Sequence, residues 1–198
     1  MGKPVNSKSI MSDGNDLFRA LSFAISQRQE YHLQVRKKIV DHILHISKDL
    51  SSYVPDPFEN AAEYVRIRKM KVPKTLGTEL EILAASHFMH ADIYTFANNK
   101  WIKYSAHQID KDINVENEAI YLQHDEKSSH YEVVMDVEGN SICNLQEKSK
   151  ENEDCTSVEY ELDQISRNNC IDTKNNNTLL NETQVDLTVL RRKRKREL

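Results

Sequence analysis

Reactive sulfur is scarce in this sequence and sits far from any catalytic pattern. Only three cysteines occur in 198 residues, Cys143, Cys155 and Cys170, all in the polar final third. An odd count with no CxxC pair argues against a disulfide framework or a cysteine-built zinc site, and it fits a reducing compartment. Hydrophobic residues make up 38% of the chain, too few for a core that runs its whole length. No apolar run approaches the ~20 residues needed to span a bilayer, so no membrane partner is expected. The opening Met1-Gly2-Lys3-Pro4-Val5-Asn6-Ser7 has no apolar segment of the kind that directs export. The net charge of −4 is too small to name a partner.

The composition changes near Gly139. Before it, apolar residues recur with regular periods. After it come mainly Asn, Glu, Lys, Ser and Thr, including Asn175-Asn176-Asn177, with too little to bury to offset the entropy of ordering. The expected organisation is a flexible N-terminus over 1–9, a folded domain over 10–138, and a disordered polar tail over 139–198. That tail closes on a dense basic block, Arg191, Arg192, Lys193, Arg194, Lys195 and Arg196. Such a block reads as a nuclear-localisation candidate that engages importin, or as a solvated tail that touches nucleic acid. The protein is expected in the nucleus, the cytoplasm or both.

Within the domain, helices come first and strands last. Leu17, Phe18, Leu21, Ala24 and Ile25 fall on one helical face after the turn Asp13-Gly14-Asn15. Leu33, Val35, Ile39, Val40, Ile43, Leu44 and Ile46 extend a second helical period to about residue 50. Pro55 and Pro57 break it, and Phe58, Ala61, Ala62 and Val65 suggest a third helix. Thr78 and Glu81 are spaced as a capping box that opens a helix over 79–88. The period then shifts to two: 91–96 and 101–104 read as strands joined at Asn98-Asn99, with further strands at 119–123 and 131–137. Helices beside a small, mostly antiparallel sheet make an α+β fold.

The turn before the first helix is built for chemistry. Gly14 permits a backbone shape that lets peptide N–H groups converge, and the helix beginning near position 16 turns its positive end toward that side chain. A cysteine there would be a thiolate of good nucleophilicity. The residue present is Asp16. Taken alone, Asp13-Gly14-Asn15-Asp16 is no more than a turn and a helix cap.

Its surroundings change that reading. Ser12-Asp13-Gly14-Asn15-Asp16-Leu17-Phe18-Arg19-Ala20-Leu21 resembles the signature of the ovarian-tumour (OTU) family of ubiquitin-directed cysteine proteases, Asp-Gly-Asn-Cys-Leu-Phe-Arg-Ala, in which the Cys is the nucleophile. Ser129-His130-Tyr131-Glu132-Val133-Val134 resembles the family's final strand, whose His is the general base. The stretch from Gly77 to Ala85, then Ile93, Tyr94 and Trp101, is also similar, although Leu76 and Thr78 flank Gly77 where many members read Trp-Gly-Gly. The resemblance covers roughly residues 10–137.

It implies an OTU-type cysteine protease fold, hydrolysis of ubiquitin isopeptide bonds, ubiquitin or polyubiquitinated proteins as partners, and no cofactor. By its match Asp16 stands at the nucleophile position and His130 at the base. Glu132, two residues on and on the same strand face, would orient the imidazole. Asp13 is the second acidic candidate, and Gly14 and Asn15 form the oxyanion turn. A carboxylate attacking an isopeptide carbonyl would make a mixed anhydride, far less stable than a thioester, and removing a triad nucleophile abolishes most of the acceleration. The expectation is therefore an inactive deubiquitinase-like protein that keeps ubiquitin binding. The rival is a nuclear interaction or nucleic-acid-associated protein, of mobile-element origin, that uses the fold as scaffold. The remaining histidines, including the i,i+3 pairs His42/His45 and His87/His90, read as ordinary helix residues, since no third ligand is evident.

Overall fold

In the computed structural model, which describes residues 1–141, the apolar spacing after the Asp13-Gly14-Asn15 turn becomes helix α1, Asp16–Ser26. Leu17, Phe18, Leu21, Ala24 and Ile25 form its buried face, the stripe that a period of 3.6 places on one side. Helix α2, His32–His45, buries Val35, Ile39, Val40 and Ile43. It stops short of the expected residue 50. The N–H groups of Asp49 and Leu50 both return to the Ile46 carbonyl (3.0 and 3.1 Å), and that tight turn tucks Leu50 fully into the core. Helix α3, Ala61–Ile67, is capped by the Asn60 side chain, which accepts the Glu63 N–H at 2.9 Å.

Helix α4, Glu79–Met89, opens at Thr78. Glu81 Oε2 accepts the Thr78 N–H at 2.7 Å, the Thr78 hydroxyl at 2.9 Å and the Tyr64 hydroxyl at 3.0 Å, so the helix start is tied to α3. Burial raises the Glu81 pKa above that of an ordinary glutamate.

The strands are β1 (Pro4–Lys8), β2 (Ala91–Ala97), β3 (Lys100–Tyr104), β4 (Glu116–Asp125), β5 (His130–Val137) and β6 (Asn140–Ser141). Their order is β1-β5-β4-β2-β3, with β6 also on β5. Asn98 and Asn99 both take positive φ, as a two-residue hairpin between β2 and β3 requires. The sheet is mixed, because β2 and β4 run parallel while the other pairs are antiparallel. Ala91, Ile93, Thr95 and Ala97 point to the helical layer and are buried. On the opposite face Tyr94 stacks on Tyr121 at 5.3 Å, and Trp101 packs against Phe96 and Tyr121 at 5.1 and 5.9 Å. These rings pack that face of the sheet. Helix α1 lies against β5 and α2, and α4 against β2 and α2.

The N-terminal residues differ from expectation. Instead of a flexible lead, 4–8 form β1 along the outer edge of β5, from Pro4 opposite Val137 to Lys8 opposite Val133. The Glu138 N–H donates to the Lys3 carbonyl at 2.8 Å, and the Trp101 indole N–H donates to the Gly2 carbonyl at 2.9 Å. The reason is the free edge of β5, whose backbone groups need partners. Beyond the compositional change at Gly139, residues 140–141 still pair with β5 as β6. Asp16 at the head of α1 and His130 at the head of β5 meet at one end of this scaffold.

Candidate active site

The turn shape comes from one glycine. Gly14 takes φ +81°, and a Cβ there would stand 2.7 Å from the Lys74 backbone carbonyl oxygen. Only glycine serves both conditions, the left-handed backbone and the close approach of the 70–75 segment. With that shape, the N–H groups of Asp13 and Gly14 converge on a single point. Asp16 Oδ1 fills it, accepting both at 3.1 Å. Its other oxygen, Oδ2, is 2.8 Å from His130 Nδ1. Asp16 is 4% exposed, and a charge so buried needs such partners. An ionised carboxylate only accepts, so Nδ1 is the donor in this contact.

The other singled-out residues divide around that pair. Glu132 Oε1 is 4.0 Å from His130 Nε2, within ion-pair reach but too far for a hydrogen bond. It is Asp16 that holds the imidazole. Asp13 grips Arg19: Nε to Oδ1 at 3.1 Å and Nη2 to Oδ2 at 2.7 Å, with the Asn15 N–H also on Oδ1 at 3.1 Å. The Arg19 guanidinium holds the Asp13 carboxyl well below the usual carboxylate range. Asn15 therefore contributes its N–H to Asp13, not to the point where the Asp13 and Gly14 donors meet. Its buried side chain faces inward, where Oδ1 accepts from Arg36 Nη2 at 3.0 Å and from the Lys74 N–H at 2.8 Å.

Arg36 is the site residue that sequence reasoning missed. It is 2% exposed, lies 3.9 Å above the Phe18 ring, and donates to the Met70 and Thr75 carbonyls at 3.2 and 2.7 Å. Burial pushes its pKa down to about 10. It clamps the 70–75 segment onto Asn15 and so backs the turn. The one available signal was a charged residue beside Val35 on the apolar side of α2.

Among the described residues no group of three or more His, Cys, Asp or Glu side chains is arranged to hold a metal ion. No helix among them is long and apolar enough to cross a membrane. His42 and His87, set on different helices, meet at 2.8 Å (Nε2 to Nδ1), while His45 keeps a longer ring contact at 6.4 Å. The three cysteines and the basic block Arg191, Arg192, Lys193, Arg194, Lys195 and Arg196 lie outside the described residues, as does most of the span expected as a tail.

The arrangement can therefore hold a proton between Asp16 and His130 and keep two backbone donors occupied. A family model described as OTU-like cysteine protease matches residues 11–140, the span that carries all of these side chains. No curated protein matches the sequence. Among solved structures, the OTU domain of OTUD1 superposes with a TM-score of 0.51 at 17% identity, over 64% of this chain and 83% of that one. The viral OTU domain protease from Taggert virus gives 0.50 at 17%, over 69% and 81%. At these identities the likeness concerns the fold.

Proposed function

The chain belongs to the OTU-like cysteine protease family, and on that premise we propose that it is an inactive deubiquitinase-like protein that still binds ubiquitin or polyubiquitinated proteins. In this reading Asp16 stands where the family has its nucleophilic cysteine, and His130 stands at the general base. Such a protease needs a free lone pair on the histidine to take the thiol proton, and open donors for the oxyanion. One observation carries the proposal: the Asp16 carboxylate occupies the Asp13 and Gly14 N–H donors through Oδ1, and by accepting from His130 Nδ1 through Oδ2 it keeps a proton on that nitrogen, which leaves no lone pair there. A carboxylate is also a weak nucleophile toward amides, and its acyl product would be an anhydride.

The test is incubation of the purified chain with di-ubiquitin of each linkage and with a ubiquitin activity probe, alongside a binding measurement on the same chains. The expected result is binding without cleavage or labelling. Turnover above background would overturn the inactive assignment, and absence of binding to every form would overturn the partner. The basic block 191–196 supports nuclear entry through importin on composition alone. Replacing its six residues by alanine should shift a fluorescent fusion from nucleus to cytoplasm, and unchanged distribution would refute that role.

A further inference from the structure

We infer that this site accepts a chain end that is amide-linked and turns away one that ends in a free carboxylate, so that it separates conjugated ubiquitin from free ubiquitin. The inference rests on the ubiquitin reading above and adds the state of the ubiquitin C-terminus. Its basis is the occupancy of the anion-holding groups. In this structure the convergent N–H donors of Asp13 and Gly14 and the Nδ1 of His130 are the groups that would hold a carboxylate entering between α1 and β5, and all three are engaged by Asp16. Asp16 is thus placed as a hydrolysed product's own carboxylate would be. A second carboxylate at that point meets like charge in a poorly solvated setting and finds no donor left to receive it.

An amide-linked end differs in two respects. It carries no charge, and it offers an N–H. An ionised carboxylate has roughly four acceptor positions. Asp16 uses three of them here. The remaining position calls for a donor, which an isopeptide supplies and a free C-terminus does not. The neighbouring groups reinforce the sign. Glu132, 4.0 Å from His130 Nε2, adds negative charge at the rim, and the nearby Arg19 is committed to Asp13.

The experiment compares two ligands by isothermal titration into the full chain: ubiquitin with its native C-terminal carboxylate, and ubiquitin whose C-terminal glycine is amidated. The amidated form should bind about tenfold tighter or more, given a like-charge contact only partly screened by solvent. Asp16→Asn, which keeps the shape and removes the charge, should bring the two forms to within about threefold, as that Coulomb term disappears. Equal affinity for the unaltered chain, or a preference that survives Asp16→Asn, would overturn the inference while leaving ubiquitin binding in place. Failure of both forms to bind would overturn the ubiquitin reading itself, and this ligand with it.

A second arm needs no ubiquitin. Acetate titrated into Asp16→Gly should shift the amide resonances of Asp13 and Gly14 saturably and leave them still in the unaltered chain. Should Asp16→Gly fail to fold, Asp16→Ala carries the same comparison. Saturable shifts in the unaltered chain, or none in a folded variant, would count against an anion site closed by Asp16.

Discussion

Asp16 is a single side chain with three bonds, and each can be tested by changing one atom group. Replacing it with cysteine removes the charge, releases the Asp13 and Gly14 donors and frees His130 Nδ1 to accept a proton. On the proposed function, Asp16→Cys should label with a ubiquitin activity probe where the unaltered chain does not. A folded but silent variant would show that more than the sulfur has been lost. Behind the turn, Arg36 supports Asn15 and two carbonyls from within the core. Arg36→Met fills similar space but orphans those buried acceptors, and should cost about 3 kcal/mol or more in chemical denaturation. Gly14→Ala meets both the left-handed backbone and the Lys74 carbonyl. A loss of about 1–3 kcal/mol is expected in the same measurement.

At the scale of elements, the contact between α2 and α4 contains a proton-sensitive pair. His42 Nε2 lies 2.8 Å from His87 Nδ1 and its ring packs edge-on against Phe88. Burial, with added repulsion from His87, His45 and His90, pushes the His42 pKa down to about 4 from its ordinary 6.5. A depressed value means that folding favours the neutral ring. The stabilisation is present above about pH 6.5 and is lost as the pH falls toward about 4. His42→Gln should therefore lose less Tm than the unaltered chain across that interval. An identical pH profile would refute the role of the pair. At the start of α4, Thr78→Ala deletes the hydroxyl that donates to Glu81. It should lower stability by about 1 kcal/mol without altering ubiquitin binding.

At the scale of the whole molecule, the edge of the sheet beyond β5 is supplied by β1, from the opposite end of the described chain. β1 covers the β5 edge, and β5 carries His130. Deleting residues 1–8 should expose that edge, lower the unfolding midpoint and promote self-association, readable by calorimetry and size-exclusion chromatography. A variant of unchanged stability and monodispersity would mean that β1 contributes nothing. The sequence pattern hid this strand because it lies on an edge and is mostly exposed, with Val5 at 67%, and so lacks the apolar alternation that marks a half-buried strand. The parallel pairing of β2 with β4 was equally hidden, since periodicity identifies strands but not neighbours. The helices, by contrast, announced themselves through Leu17, Phe18 and Leu21 and through Ile39 and Ile43, whose burial follows from spacing alone.

Local order along the chain determined where the helices and the β2–β5 strands form to within a few residues, where the glycine-dependent turn falls, and that a carboxylate stands at position 16. These follow from side-chain period, backbone sterics and residue identity, all short-range properties. Tertiary structure alone decided that Asp16 reaches His130, 114 residues away, that Asp13 is spent on Arg19, and that Arg36 underpins the turn. Those choices depend on which of several acidic and basic groups folding brings within about 3 Å, a distance that no spacing in sequence encodes.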